Sequence, residues 1–258
     1  MLVTTSYNPS GELLDKAVRL AGAYNGRVVP RRKYSLEHLR KNYEDNRLLL
    51  VTRDEIRYYE DDHAAYFFHP SMALVRVKRM QRGESDLLIE ASGTVPGDVI
   101  VDCTAGLASD SIVFSYAVGS LGSVTALESE PIPAMLIHEG LALYESEIAE
   151  LNDAMRRIKV RKTDHLTYLQ QLESQSVDVV YFDPMFRSPI EESQAISLLR
   201  RNANDEAVSL ASIAEARRIA RKSIVLKENR DSHEFARLGF EHVLRSTTKT
   251  TYGVIRLC

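Results

Sequence analysis

The feature that most constrains the fold is a regular alternation of apolar strands and helices after Gly97. The strand candidates are Val99–Cys103, Ser123–Leu127, Ile158–Arg161, Val177–Phe182 and Ser223–Lys227. The helices predicted between them are Ser109–Val118, Pro133–Leu151, Leu166–Glu173 and Asp205–Arg221. Strands that are almost entirely apolar and are separated by helices are typical of a parallel sheet covered on both faces. The chain ends differently, because Gly239–Ser246 and Thr251–Leu257 predict an antiparallel hairpin. The prediction is therefore an α/β fold with a doubly wound sheet and a C-terminal antiparallel hairpin.

The residues before this alternation predict a smaller unit of mixed structure. Helical spacing indicates helices over Gly11–Ala21 and Ser35–Tyr43, the second with Ser35 as its N-cap. Strands are predicted at Leu48–Val51, Ile56–Tyr59 and Ala64–Phe68. The division that follows is a small α+β domain over residues 1–68, a helical connector over 69–96 interrupted near Gly83, and the larger domain over 97–258.

Composition excludes several classes of protein. With 258 residues, 44% of them hydrophobic and 27% charged, the chain has the composition of an ordinary globular protein. It lacks the uninterrupted apolar stretch of about 20 residues that spans a bilayer, and its opening residues lack the pattern of a signal peptide. We therefore expect a cytoplasmic protein without a membrane partner. Cys103 and Cys258 are the only cysteines, too few for a four-cysteine zinc site, and no metal is expected.

The first informative segment is the end of the first strand of the larger domain. The strand ends in Asp102, turns through Gly106 and enters a helix near Ser109. In such sheets ligands bind outside the carboxyl ends of the strands, and a glycine in the turn lets the backbone approach them closely. Neither a G-x-G-x-x-G segment nor a Walker A lysine is present, so the turn lacks the usual means of binding phosphates. It suits a ligand that contains adenosine without phosphates, for which S-adenosylmethionine (SAM) is the obvious candidate.

Two acids follow the next two strands. Glu128 ends the second strand, at the place where an acid can accept both hydroxyls of an adenosine ribose. Asp164 follows the third strand and could either cap the next helix or hydrogen-bond the adenine edge.

The third segment is Asp183-Pro184-Met185-Phe186, directly after the fourth strand. An Asp-Pro turn would explain it without any function. It also resembles the Asn/Asp-Pro-Pro-Tyr/Phe signature of methyltransferases that act on exocyclic amines of bases. The Asp183 carboxylate and the Pro184 carbonyl can accept the two N–H groups of such an amine, and Phe186 can stack on a flipped or single-stranded base. Catalysis would then depend mostly on orienting the acceptor amine towards the methyl group.

A run of basic residues lies before the larger domain. Arg76, Lys78, Arg79 and Arg82 fall within seven residues that contain no acid. Such a run is either a solvated face or a surface that contacts nucleic-acid phosphates. The net charge of −3 gives no general sign of a nucleic-acid-binding protein.

Together these segments resemble the small-subunit ribosomal RNA guanine-N2 methyltransferase family of class I SAM-dependent enzymes. The D-A-T-A-G-L-G-R-D segment of that family is matched by residues 102–110, and its D-P-M-F is present intact at residues 183–186. Residues 128–131 look like its E-x-N-P segment, and residues 226–229 are similar to its late V-K-R-P. The resemblance covers roughly residues 66–258 and implies a Rossmann-like class I methyltransferase sheet.

The resemblance also implies roles for individual residues. Cofactor contacts are implied at Asp102, Thr104, Ala105, Gly106, Leu107, Ser109, Asp110, Glu128, Ser129, Thr163, Asp164 and Asp183. The implied catalytic residues are Asp183, Pro184 and Phe186. The positions expected to face RNA are Arg76, Lys78, Arg79, Arg82 and Arg187. The family's glycine-rich basic segment before the first strand is represented here only by residues 79–85.

The function expected from this resemblance is transfer of a methyl group from SAM to guanine N2 of ribosomal RNA, free or in the small ribosomal subunit. A second hypothesis keeps SAM and changes the acceptor to another nucleic-acid or protein amine. A third is a non-catalytic module that binds RNA or SAM. The carboxylate of Asp183 argues against the third, since a binding module has no use for a group that orients an amine. The oligomeric state is left open.

Overall fold

A computed structural model describes residues 1–60, 65–184, 207–240, 242–244 and 248–257. Within them the chain forms two sheets, one of five strands near the N-terminus and one of seven strands in the remainder. Phe186 and Arg187, two of the residues predicted to contact the base and the RNA, lie outside the described residues.

The N-terminal sheet has the strand order β2-β1-β3-β4-β5. Its strands are β1 (Leu2–Thr5), β2 (Arg27–Val28), β3 (Leu48–Val51), β4 (Ile56–Tyr59) and β5 (Ala65–Phe67). The first three run parallel, and β4 and β5 add antiparallel strands. The strands predicted over 48–51 and 56–59 are found with the same bounds. The sequence analysis did not identify β1 and β2, which have only four and two residues.

The larger sheet has the strand order β11-β12-β10-β9-β6-β7-β8. Its strands are β6 (Val99–Asp102), β7 (Ser123–Glu128), β8 (Lys159–Lys162), β9 (Val177–Phe182), β10 (Ala220–Asn229), β11 (His242–Val243) and β12 (Thr250–Arg256). The strands from β6 to β10 are parallel, whereas β12 pairs antiparallel with both β10 and β11. The predicted doubly wound sheet with a C-terminal antiparallel hairpin is confirmed. The chain reverses its order between β6 and β9, and such a switch point opens a ligand-binding crevice at the carboxyl ends of the strands.

The described helices divide between the two sheets. They are α1 (Gly11–Ala23), α2 (Leu36–Tyr43), α3 (Ser71–Gln81), α4 (Leu87–Ser92), α5 (Ser109–Val118), α6 (Pro131–Leu143), α7 (Ala149–Arg157), α8 (His165–Gln171), α9 (Leu210–Ile219) and α10 (Glu234–Leu238). The helices α1 and α2 belong to the N-terminal unit, and the described helices after them cover both faces of the larger sheet. Side chains alternate along β9: Val179 and Tyr181 pack into the core below α3 to α7, and Val180 and Phe182 into the core below α8 to α10. None of the helices in the described ranges is long and apolar enough to cross a membrane.

The single helix predicted over 133–151 is wrong, because α6 and α7 are separate helices. Tyr144 is extended and ends α6. Arg156 of α7 donates hydrogen bonds to the carbonyl oxygens of Leu141 and Tyr144 and so satisfies acceptors that the end of α6 leaves unpaired. The apolar spacing continues across this break, so the pattern alone does not reveal it.

The N-terminal sheet packs on α6 of the larger unit. One core cluster contains Val3, Tyr58 and Tyr66 of the N-terminal sheet together with Met135 and Leu136 of α6. The proposed connector also shares the main core, since α3 and α4 contribute buried side chains to it. The independence of a domain over 1–68 therefore stays a prediction, while the contact fixes the N-terminal sheet against α6.

Candidate active site

The carboxyl ends of four neighbouring strands, β9, β6, β7 and β8, bring the main predicted residues together. Asp183 follows β9, and its backbone N–H donates a hydrogen bond to the Thr104 hydroxyl in the turn after β6. Glu128 ends β7 and accepts a hydrogen bond from the Gly106 N–H in that turn, at 3.2 Å. Thr163 follows β8, and its N–H donates to the Glu128 carbonyl oxygen at 3.0 Å. The site predicted from separate sequence segments thus lies along one edge of the sheet.

The turn after β6 has a conformation that depends on two residues with positive φ. Gly106 has φ of 55°, which is favourable for glycine. Ala108, immediately before α5, has φ of 60°, a conformation that costs a residue with a Cβ atom roughly 1–2 kcal/mol. The turn is held to β7 by the Ala105 N–H, which donates to the Leu127 carbonyl oxygen at 2.9 Å. Leu107 and Ser109 lie in this turn and are half-buried.

Asp102 supports this turn from inside the protein. Its side chain is 1% exposed and accepts hydrogen bonds from the Thr104 N–H and the Ser111 hydroxyl. Burial raises the pKa of Asp102 to about 7. The direct cofactor contact predicted for Asp102 is corrected by this geometry, because its side chain is almost fully buried inside the protein and a ligand in the crevice does not reach it.

Glu128 is the acid that faces the crevice. Its Oε1 accepts from the Glu130 N–H at 3.0 Å, and Oε2 accepts from Gly106 as described above. Burial raises the pKa of Glu128, although the backbone donors, including the Ser129 N–H, act in the opposite direction. Each carboxylate oxygen carries two lone pairs, so both keep capacity for a further donor.

Asp164 caps a helix, which was one of the two roles left open for it. Its Oδ1 accepts from the Thr167 N–H at 2.9 Å and from the Thr167 hydroxyl at 3.1 Å, at the N-terminus of α8. The side chain is 47% exposed, so its second oxygen remains accessible beside Thr163.

A buried network of charges lies next to Asp183. Lys227 of β10 donates to the Asp183 carboxylate at 2.7 Å and to the Asp110 carboxylate at 3.0 Å. Asp110 also accepts from the Tyr181 hydroxyl at 2.7 Å and from Arg76. Burial alone would raise the pKa of Asp110, but the Lys227 ammonium and the Arg76 guanidinium outweigh it and hold that pKa well below its usual value. The buried Asp110 side chain therefore holds Lys227, Arg76 and Tyr181. This corrects the prediction that Asp110 contacts the cofactor.

The pKa of Asp183 moves in the other direction. Burial raises it, the Lys227 ammonium opposes the rise, and the negative charge of Asp110 adds to it, so the pKa is about 6. Near neutral pH the group is therefore mostly a carboxylate, held in place by Lys227, and it can take up a proton at small cost. Sequence reasoning missed Lys227 as a site residue. Its position at a strand end, matching the lysine of V-K-R-P, was the available signal.

The basic run before the larger domain divides into one buried and three exposed residues. Arg76 is 16% exposed and makes a bidentate pair with Asp86, with both N–O distances at 2.7 Å, in addition to its contact with Asp110. The prediction that Arg76 contacts RNA is wrong, because two buried carboxylates occupy its guanidinium. Lys78, Arg79 and Arg82 are exposed, and Arg79 pairs with Glu84 at 2.7 Å.

We expect Arg76→Ala to destabilise the fold. Its removal leaves the charges of Asp86 and Asp110 incompletely compensated, and breaking a buried ion pair in this way costs about 3–5 kcal/mol in the free energy of unfolding. Chemical denaturation of Arg76→Ala and of the exposed control Lys78→Ala measures the difference. Equal stability of the two variants would contradict the structural role of Arg76.

The crevice residues fit a cofactor that contains adenosine. The Glu128 carboxylate would hold the ribose, and the Gly106 turn leaves room beside it: a Cβ atom added at Gly106 would have its nearest neighbour, the Thr104 carbonyl oxygen, 4.0 Å away. Pro184 and Asp183 lie beyond the same turn, which Thr104 joins to Asp183. These groups match the adenosine-containing ligand that the sequence analysis predicts.

Comparisons with known proteins identify the family of the chain. Residues 27–251 match the family model described as "Putative SAM-dependent methyltransferase". The chain is 42% identical over 255 residues to "Uncharacterized protein YpiP" of Bacillus subtilis (strain 168), with 99% of each chain covered. It is 35% identical over 125 residues to the ribosomal RNA small subunit methyltransferase J of Acinetobacter baumannii (strain ACICU), a match that spans 46% of this chain and 43% of that relative.

A solved structure supports the same fold. A SAM-dependent methyltransferase from Neisseria gonorrhoeae superimposes with a TM-score of 0.66 at 19% identity, covering 99% of this chain and 96% of the other. The described residues therefore share the fold of that structure, including the sheet predicted for residues 97–258. Since the family model also spans most of this chain, the chain belongs to the family of SAM-dependent methyltransferases, and its cofactor is S-adenosylmethionine.

Proposed function

We propose that the protein methylates an exocyclic amine of a nucleobase, and that the acceptor is guanine N2 in small-subunit ribosomal RNA. The observation that carries the proposal is the Asp183 carboxylate at the end of β9, which Lys227 orients at 2.7 Å. The Thr104 hydroxyl holds the backbone of the same residue by accepting a hydrogen bond from its N–H. A carboxylate accepts N–H groups without donating any, so it suits an amine better than a ring nitrogen that needs a proton.

The chemistry requires the acceptor amine to be oriented and to lose a proton. Bound SAM supplies an electrophilic methyl group on a sulfonium. The lone pair of an exocyclic amine is delocalised into the base, and hydrogen bonds from its two N–H groups to the Asp183 carboxylate and the Pro184 carbonyl direct that lone pair out of the ring plane. As the N–C bond forms and the C–S bond breaks, the nitrogen gives up a proton. Asp183, whose pKa is about 6, can take it up and release it to solvent.

The choice of guanine and of ribosomal RNA rests on relatives and not on local geometry. Adenine N6 and cytosine N4 amines offer the same two N–H groups to Asp183. The D-P-M-F segment favours guanine N2 through the family that it resembles, and the match to the ribosomal RNA small subunit methyltransferase J of Acinetobacter baumannii favours small-subunit RNA. The match spans less than half of that relative, so its substrate supports the proposal without deciding it.

Methyl transfer to ribosomal particles tests the acceptor. Small subunits and deproteinised ribosomal RNA from a strain lacking the gene are incubated with methyl-labelled SAM and the protein, and nucleosides are separated by mass spectrometry. The Asp183→Asn variant is the matched control. Label in N2-methylguanosine supports the proposal. Label in N6-methyladenosine, N4-methylcytidine or protein overturns the guanine assignment and keeps the enzyme class. Absence of label in all these acceptors would favour a non-catalytic binding module.

The exposed basic residues of α3 and the turn after it give a second test of RNA binding. We expect the triple variant Lys78→Ala, Arg79→Ala, Arg82→Ala to bind RNA more weakly and with less salt dependence. Each phosphate contact that is lost lowers the slope of log affinity against log salt by about 0.7–0.9. SAM affinity is the internal control, because these residues lie outside the crevice.

A charge-matched triple variant separates a local contact from a general charge effect. Lys41→Ala, Arg47→Ala and Arg53→Ala remove three positive charges from exposed positions on the N-terminal unit. An equal change of salt slope in both triple variants would show that Lys78, Arg79 and Arg82 belong to an ordinary solvated face.

A further inference from the structure

The outer side of α3 carries two apolar residues that neither the fold nor the proposed chemistry uses. Met72 is 61% exposed and Val75 is 52% exposed. The inner side of the helix already supplies the core contacts, because Ala73 and Val77 are fully buried in the main core. A single exposed apolar residue is ordinary, but these two are helix neighbours and form a continuous apolar patch. A partner that covers the patch would remove its apolar surface from water.

The apolar patch continues into exposed basic residues along the same side of α3. Residues three and four apart are neighbours on a helix surface, so positions 72, 75, 79 and 82 form one row along α3 and its C-cap. We call these four positions the α3 row. Its second half consists of Arg79 and Arg82, which are exposed, although Arg79 pairs with Glu84 at 2.7 Å. An unpaired RNA strand presents base faces beside negatively charged phosphates, so its chemistry complements both halves of the row.

The α3 row runs beside the catalytic side of the crevice. Met72 and Arg79 flank Arg76 on the helix, four residues before it and three residues after it. Arg76 turns inward to the Asp110 carboxylate, and Asp110 shares the ammonium of one lysine with Asp183. A chain of direct side-chain contacts therefore links the part of α3 that carries the row to the carboxylate proposed to orient the acceptor amine.

The proposed reaction exposes base faces at this place. A base must leave a duplex or a stack before its exocyclic amine can enter a pocket, and its neighbours then lose a stacking partner. Nucleic-acid-binding proteins insert apolar side chains, methionine among them, between such unstacked bases. A fully paired RNA helix, by contrast, offers mainly phosphates and ribose hydroxyls to a protein surface, which do not suit an apolar patch.

We propose that the α3 row is a docking surface for an unpaired RNA strand. Met72 and Val75 contact bases beside the acceptor, and Arg79 and Arg82 contact phosphates further along the strand. The inference rests on the proposed function, because it takes RNA as the substrate, and it adds that the acceptor lies in an unpaired segment.

The test replaces the two apolar residues and keeps every charge. The variant is Met72→Ser with Val75→Ser, and the matched control is Leu14→Ser with Val18→Ser, two exposed apolar residues one turn apart on α1. Fluorescence anisotropy at several salt concentrations measures binding of a short single-stranded RNA and of its duplex with the complementary strand. The α3 variant should bind the single strand roughly 10-fold more weakly than the wild type, since several apolar carbon atoms leave the contact. Its salt slope and its affinity for the duplex should stay at wild-type values, because no phosphate contact is lost.

The other outcomes separate the inference from the proposed function. Equal single-strand affinity of the α3 variant and the wild type overturns the inference alone. So does an equal loss with the duplex, an equal loss in the α1 control, or a changed salt slope in the α3 variant. Sedimentation of the same samples detects self-association, and its loss in the α3 variant without a loss of RNA affinity would assign the patch to a second copy of the chain. Wild-type protein that binds neither RNA overturns the proposed RNA substrate and the inference together.

Discussion

Replacing Asp183 with asparagine is expected to lower the rate of methyl transfer about 100-fold or more while the fold is retained. Asparagine keeps the size of the side chain but offers an N–H₂ group to the amine and cannot take up its proton. Loss of a positioned acid–base group typically costs about 10²–10⁴ in rate. Single-turnover measurements with saturating SAM place the loss in the chemical step.

Two controls accompany the Asp183 experiment. Asp231→Asn changes an exposed carboxylate in the loop after β10 and should have wild-type activity. The SAM affinity of Asp183→Asn is measured separately, because Asp183 was also predicted to touch the cofactor. Wild-type turnover in Asp183→Asn would reduce the Asp-Pro sequence to a turn without catalytic function.

The pH dependence of the wild-type reaction gives an independent signature of the same group. A carboxylate accepts the amine only when it is ionised, and the pKa of Asp183 is raised to about 6 by burial and by Asp110. The logarithm of kcat/KM should therefore rise with pH up to about 6 and then level off. Lys227→Met removes the ammonium that favours the ionised form, so the inflection should move to higher pH. An inflection near the ordinary value of a solvated aspartate would contradict the buried environment.

Glu128→Ala is expected to weaken SAM binding roughly 100-fold or more. The variant loses two hydrogen bonds from ribose hydroxyls to a charged acceptor, and hydrogen bonds to charged groups contribute about 1.5–3 kcal/mol each. Calorimetry measures the affinity. Glu128→Gln keeps one acceptor oxygen and should fall between the wild type and Glu128→Ala.

The neighbouring acid provides the control for Glu128. Glu130 takes part in the site through its backbone N–H, which donates to the Glu128 carboxylate, and Glu130→Ala keeps that N–H. The melting temperature of each cofactor-free variant reports any loss of the contact between Glu128 and Gly106. Equal SAM affinities for Glu128→Ala and the wild type would remove Glu128 from the site.

The larger sheet was predictable because strands that are buried on both faces are apolar at almost every position. Val177–Phe182 is apolar at five of its six positions and was found with the predicted bounds. Helix ends were predictable where a side chain supplies the cap, as Ser35 does for α2 through its contact with the His38 N–H. The break between α6 and α7 was not predictable from the sequence. The group that caps the end of α6 is Arg156 of the following helix, and it contacts backbone carbonyl oxygens.

The error on Arg76 has a geometric cause. Successive residues of a helix are separated by about 100° around its axis, so Arg76 and Lys78 point in directions about 200° apart. A cluster of basic residues in sequence is therefore not a cluster on one surface. Only packing of α3 against α5 shows that Arg76 turns inward to Asp110, 34 residues later in the chain.

The sequence by itself determined the fold class, the kind of cofactor, and the strand-end residues Asp183 and Glu128, since each depends on a local pattern or on a short motif. The tertiary structure alone decided which charges meet. Lys227 reaches Asp183 from a strand 44 residues further along the chain. Tyr66 belongs to the other sheet, and it shares a core cluster with Met135 and Leu136 of α6 only because the N-terminal sheet packs on that helix. Contacts between distant residues raise or lower the pKa of each group, and they exist only once the chain has folded.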